Sequence, residues 1–86
     1  MKPVRYSSKA RKARKALQRH RGEAEKVIAK MSAYGTDPKS QVNNIKRLKG
    51  QPAILRLRIG AYRVLFVEDK DGILVLDVGP RGSIYD

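Results

Sequence analysis

Four arginines in the C-terminal half of the chain have the types and spacing to hold an anionic group. Arg56 and Arg58 alternate with Leu55, Leu57 and Ile59, so both lie on one face of an extended segment. Arg63 follows just past the tight turn at Gly60-Ala61, inside the otherwise apolar run Tyr62–Val67. Arg81 follows the next apolar run, after Gly79-Pro80. A guanidinium in an apolar strand needs paired acceptors or an anionic ligand to offset its desolvation. Asp77 can be such an acceptor for Arg63, and Arg56 and Arg58 can equally form the wet face of a half-buried strand. Lys46, Arg47 and Lys49 lie just before the first of these strands, and Tyr85 lies four residues beyond Arg81.

The overall charge favours the anionic ligand. The 86 residues carry 20 Lys+Arg against 8 Asp+Glu, a net charge of +12. Lys2 through Arg21 holds nine basic residues and no acid. Self-repulsion over that length is a cost that a purely structural surface would avoid, so a polyanionic target is expected, RNA first. The run from Lys9 to Lys15, with Lys12 and Lys15, suits either a helix that tracks phosphates or a basic shell awaiting an acidic partner.

The composition narrows the other chemistries, and although a carboxylate-only metal site is open in principle, no pattern in the sequence points to one. There are no cysteines, so no disulfide, thiolate metal site or cysteine nucleophile is possible. His20 is the only histidine and sits between Arg19 and Arg21, as an exposed helix residue would. No Gly-rich phosphate loop and no Ser–His–Asp set is present. The expectation is that no cofactor and no metal takes part. No apolar run approaches a membrane span, and Met1–Arg5 lacks the apolar stretch of a signal peptide, so an intracellular protein is expected.

The elements that must position the arginines are readable in outline. Residues 1–86 form one domain. Residues 3–6 read as a short strand. Ser7 or Ser8 can cap a helix to about Arg21, with Tyr6, Ala10, Ala13 and Leu17 as its apolar stripe. Gly22 breaks the chain. A second helix follows, with Glu23 and Glu25 in its first turn and Ala24, Val27, Ile28, Met31 and Tyr34 as its buried face, ending at Gly35. Asp37-Pro38 marks a new start, either a short helix or an irregular crossover carrying Val42, Ile45 and Leu48. From Gly50 the pattern becomes three antiparallel strands, with a turn at Asp69-Lys70-Asp71-Gly72. The fold class is α+β: an N-terminal strand and a helical hairpin packed on a small antiparallel sheet. Strands apolar on both faces must be covered on both, so the face away from the helices needs the tail, a partner or a ligand.

Leu48-Lys49-Gly50, Leu55-Arg56-Leu57-Arg58-Ile59-Gly60, Tyr62-Arg63-Val64-Leu65-Phe66, Val78-Gly79-Pro80-Arg81 and Ile84-Tyr85 follow one another in an order and spacing that resembles the RelE/ParE toxin superfamily. With the helix hairpin, the resemblance covers nearly the whole chain. It implies a RelE-like fold and a ribosome-dependent mRNA endonuclease, metal-independent and cytoplasmic. A cognate antitoxin would hold it inactive through a wrapping segment, acidic on one face and apolar on another. Operator DNA would be met only through that complex. Carried over residue by residue, the catalytic positions fall on Arg56, Arg63, Arg81 and Tyr85. RNA-binding positions fall on Lys46, Arg47, Lys49 and Arg58, with Lys12 and Lys15 on the first helix. Many relatives have His where this chain has Pro80, so that acid–base group is absent. Lys49 and Tyr85 are the candidates for the base, and the sequence does not choose between them. The gyrase-poisoning branch shares the fold but lacks the full basic and tyrosine set. That branch, and a nucleic-acid-binding module without catalysis, are the alternatives.

Overall fold

The computed structural model describes residues 2–19 and 22–80. Its elements run β1 (Val4–Tyr6), α1 (Ser8–Leu17), α2 (Glu23–Thr36), a 3-10 segment (Pro38–Asn44), β2 (Ile45–Leu48), β3 (Gln51–Ile59), β4 (Tyr62–Asp69) and β5 (Gly72–Pro80). One five-stranded sheet has the order β1-β5-β4-β3-β2. β1 lies parallel to β5, and every other neighbour is antiparallel. No helix among the described residues is long and apolar enough to cross a membrane.

Ser7 starts α1 as its residue type predicts. Its hydroxyl accepts from the Ala10 amide at 3.0 Å and donates to the Leu76 carbonyl at 3.0 Å. One side chain therefore caps the helix and ties it to β5. α1 buries Ala10 and Leu17 and ends at Leu17, short of the expected Arg21. Beyond Leu17 no apolar residue anchors another turn, and the amides of Gln18 and Arg19 close tighter bonds to Lys15 and Ala16. His20 and Arg21 lie outside the described residues. Tyr6 belongs to β1 rather than to the helix, and the Arg14 guanidinium stacks 4.4 Å from its ring centroid.

α2 buries Ala24, Val27, Met31 and Tyr34 as expected, but Ile28 is 40% exposed. It lies about 100° around the helix from Val27, outside the stripe that meets the sheet. Gly35 does not end the helix, which continues to Thr36. The glycine is needed for close approach instead. Its carbonyl accepts from the Lys2 amide at 3.0 Å, and a Cβ there would meet the Lys2 carbonyl oxygen at 2.8 Å.

The sheet has one more antiparallel strand than expected. β2 forms a hairpin with β3 through Lys49-Gly50, where Gly50 adopts φ 84°. Asp37-Pro38 opens a 3-10 segment that takes in position 42, whereas Ile45 and Leu48, expected in the same short helix or crossover, fall in a strand. Pairing with β3 decides the conformation there, a tertiary effect that local spacing does not carry.

The core lies between the helices and one sheet face, centred on Val27, Met31, Leu57, Val64, Phe66 and Val75. Between β4 and β5 the register shifts. Leu65 pairs with Asp77 and Phe66 with Val75, so Leu76 is an extra residue. That bulge lets Val75 and Val78 both point into the core and turns Asp77 to the other face.

Candidate functional site

The face away from the helices carries the arginines. Its side chains are fixed by alternation: Leu57, Ile59, Val64 and Phe66 are in the core, so Arg56, Arg58, Arg63 and Leu65 point the other way. The pairing arranges them in two rows across the strands. One row runs Lys46, Arg56, Leu65, Asp77. The next runs Arg58, Arg63, Gly79. Neighbouring strands are about 4.8 Å apart, so these four cations form one patch.

Two features set the patch apart from an ordinary wet strand face. Arg58 and Arg63 lie directly opposite one another, and like charges so placed repel. Arg63 is also only 6% exposed. Asp77 sits diagonal to Arg63, as an acceptor would. Its carboxylate is also engaged by Lys9 of α1 at 3.3 Å and by the Val78 amide at 2.8 Å. The two-sided apolarity of the strands is resolved unevenly on this face. Leu65 is buried between Arg56 and Asp77, Val67 is half-buried, and Leu74 is 39% exposed.

The structure does not bring all the expected residues together. Lys46, Arg56, Arg58 and Arg63 share the patch. Arg47 has the parity of Ile45 and points to the helix side, where its Nη1 donates to the Pro52 carbonyl at 2.8 Å and its charge is felt by Tyr34. Lys49 lies at the hairpin tip, about 10 Å along the strand from Lys46. Lys12 and Lys15 are exposed on the outer surface of α1, turned away from the sheet. Arg81 and Tyr85 lie outside the described residues. β5 ends at Pro80, which pairs with Tyr62, and Gly79 pairs with Arg63.

A second polar cluster locks the N-terminal segment in place. Lys2 Nζ donates to Glu68 Oε2 at 2.8 Å and to the Asp69 carbonyl at 2.7 Å, while the Tyr34 hydroxyl donates to Glu68 Oε1. Burial pushes the Tyr34 phenol up, the Glu68 carboxylate pushes it further, and it reaches about 12. Burial also acts to raise the Glu68 carboxyl, but the hydrogen bonds from Lys2 and Tyr34 outweigh it and hold the pKa below 4.5. The signs give opposite pH windows. The stabilisation from Glu68 is complete above the unfolded carboxylate pKa and is lost as pH falls through the folded one. The stabilisation from Tyr34 is complete below 10 and is lost as pH rises from there toward 12. Urea midpoints measured against pH should fall at both ends. In Tyr34→Phe the alkaline loss attributable to this residue should vanish, and the acid loss should be smaller and finish at higher pH.

Comparison with known proteins places this geometry. A model of the ParE toxin of type II toxin–antitoxin systems matches residues 4–85. Among solved structures, YafQ from E. coli strain BL21(DE3) is similar over 100% of both chains, with 12% identity and a TM-score of 0.79. A chain of the archaeal RelE–RelB complex from Pyrococcus horikoshii OT3 is similar over 96% of this chain and 98% of its own, with 20% identity and a TM-score of 0.75. A chain of the RelBE2 toxin–antitoxin complex from Mycobacterium tuberculosis covers 93% of this chain and 98% of its own, at 21% identity and a TM-score of 0.63. A search of curated proteins finds no match. The structural likenesses, all at low identity, establish a RelE-like α+β fold. The family match spans nearly the entire sequence, and with it the chain belongs to the ParE toxin family of type II toxin–antitoxin systems.

Proposed function

We propose that this toxin is an endoribonuclease that cuts mRNA on the ribosome and that a cognate antitoxin holds inactive in the cytoplasm. The observation that carries this reading is the opposed pair Arg58 and Arg63, the latter nearly buried, flanked by Arg56 and Lys46 on one sheet face. Such a cluster is suited to a phosphate that gains charge during reaction.

The reaction needs no external nucleophile. The 2′-oxygen of the substrate gives up its proton and bonds to the adjacent phosphorus. The bond to the 5′-oxygen breaks, and that oxygen leaves as a hydroxyl. The products are a 2′,3′-cyclic phosphate and a 5′-hydroxyl end. The protein must align the sugar with the phosphate and stabilise charge on the phosphoryl oxygens. Arg56, Arg63 and Arg81 serve through their planar donor forks. Tyr85 stacks on a base or protonates the leaving oxygen. Arg58 and Lys46 hold the same strand. Lys12, Lys15, Arg47 and Lys49, set on other surfaces, are placed to meet further polyanion surface such as ribosomal RNA. The antitoxin segment that covers the patch would be acidic, with apolar residues for surfaces such as Leu74.

A second reading, gyrase inhibition by binding, is favoured by the ParE family match itself. The two separate in a purified translation reaction. Added protein should cut mRNA when ribosomes are present and leave it whole when they are withheld. Intact mRNA under both conditions, with gyrase inhibited in a supercoiling assay, would replace the first reading with the second.

A further inference from the structure

The sheet leaves part of β3 as an edge. β2 begins at Ile45, opposite Leu57, so Arg58 and Ile59 lie beyond the end of β2. Asn44 and α2 close on that edge and leave a cavity of about 420 Å³, lined by Lys26, Lys30, Asn44, Arg58, Ile59 and Gly60. The lining holds three cations, one side-chain amide and no carboxylate. Lys26 and Lys30 stand one helical turn apart, a like-charge spacing that weakens the helix by itself. Lys26 has a loose counter-charge in Glu23, at 3.4 Å, and its side chain is 63% exposed.

We propose that this cavity is a second phosphate site, taking the backbone of a single-stranded nucleic acid one or more residues away from the phosphate held on the sheet face. The proposal rests on the nuclease reading and extends it. Arg58 belongs both to the sheet-face patch and to the rim of the cavity, so the cations run without a break around the sheet edge. A repeating phosphodiester chain matches such a path. An acidic–apolar peptide does not, because the only large apolar residue in the lining is Ile59, which is already buried at 5% exposure and offers no anchor. The sequence gives little hint of this site, since Lys26 and Lys30 read as the solvent face of α2 and Asn44 as part of a connection.

The test is the double variant Lys26→Ala, Lys30→Ala, with Lys39→Ala, Lys70→Ala as a control of equal charge change. Alanine is the best helix former, so the α2 substitutions leave the helix intact. Binding of a labelled single-stranded oligoribonucleotide with 2′-deoxy substitutions, which block cleavage, is titrated against salt. Each neutralised phosphate contributes about 0.7 to the log–log slope, so the α2 variant, which loses the phosphate held in the cavity, should be shallower than wild type by about 0.7 and the control unchanged. Equal slopes for all three proteins would overturn the proposal. So would an unchanged RNA slope accompanied by lost binding to poly-glutamate, which would assign the cavity to an acidic peptide. If the α2 variant loses slope while wild type leaves mRNA uncut on ribosomes, the phosphate site stands and the nuclease reading falls.

Discussion

Arg56→Ala and Arg63→Ala should each lower the rate of mRNA cleavage on the order of a hundredfold or more. Losing one well-placed donor to a transition-state oxyanion has an effect of that size. The two variants are informative in different ways. Arg56 is half-buried, with its side chain across from Lys46 and Leu65, and its removal takes away one charge from the patch. Arg63 is nearly buried and faces Arg58, so truncation opens a gap but also relieves repulsion. Arg63→Lys keeps the charge and loses the planar fork, and it should recover stability more than activity. Arg81→Ala and Tyr85→Phe, at positions assigned by family resemblance, should show losses like that of Arg56→Ala. In Tyr85→Phe the ring is kept, so a large loss implicates the hydroxyl and a small one implicates stacking. The check is single-turnover cleavage beside thermal melting for each variant. Cleavage at the wild-type rate by both Arg56→Ala and Arg63→Ala would remove the sheet face from the chemistry.

Binding to RNA or ribosomes should fall steeply with salt. Four to six phosphate contacts give a log–log slope of roughly −3 to −4 for a single strand, so a fourfold rise in salt costs about a hundredfold in affinity. The patch on the sheet supplies up to four of those contacts through Lys46, Arg56, Arg58 and Arg63. A slope near zero in a fluorescence titration would mean that the net charge of +12 serves something other than phosphate binding.

The cationic face was legible in the sequence because a strand has a period of two. Leu55, Leu57 and Ile59 had to share one side, so Arg56 and Arg58 had to share the other, and Arg63 stood out against an apolar strand. The helix hairpin was legible from the Ser7 cap, Gly22 and the stripe from Ala24 to Tyr34. Helix boundaries and β2 were not. The length of α1 depends on where packing runs out after Leu17, and β2 exists because β3 lies beside it. The strand parity that turns Arg47 to the helix side could not be assigned while Ile45–Leu48 read as a crossover. Ile28 shows the limit of a helical stripe, since one position of rotation moves a residue from core to solvent. Arg81 and Tyr85 rest on the order of short motifs in a family, a signal that strand alternation does not supply.

The most direct test of the account is the chemistry of the RNA ends left when the toxin is produced without its antitoxin in growing cells. Cleavage by the 2′-oxygen predicts arrested growth, mRNA cut within coding regions, 2′,3′-cyclic phosphate on the upstream fragments and 5′-hydroxyl on the downstream ones, with chromosomal DNA unbroken. Full-length mRNA in arrested cells, together with gyrase-dependent DNA breaks, would contradict it.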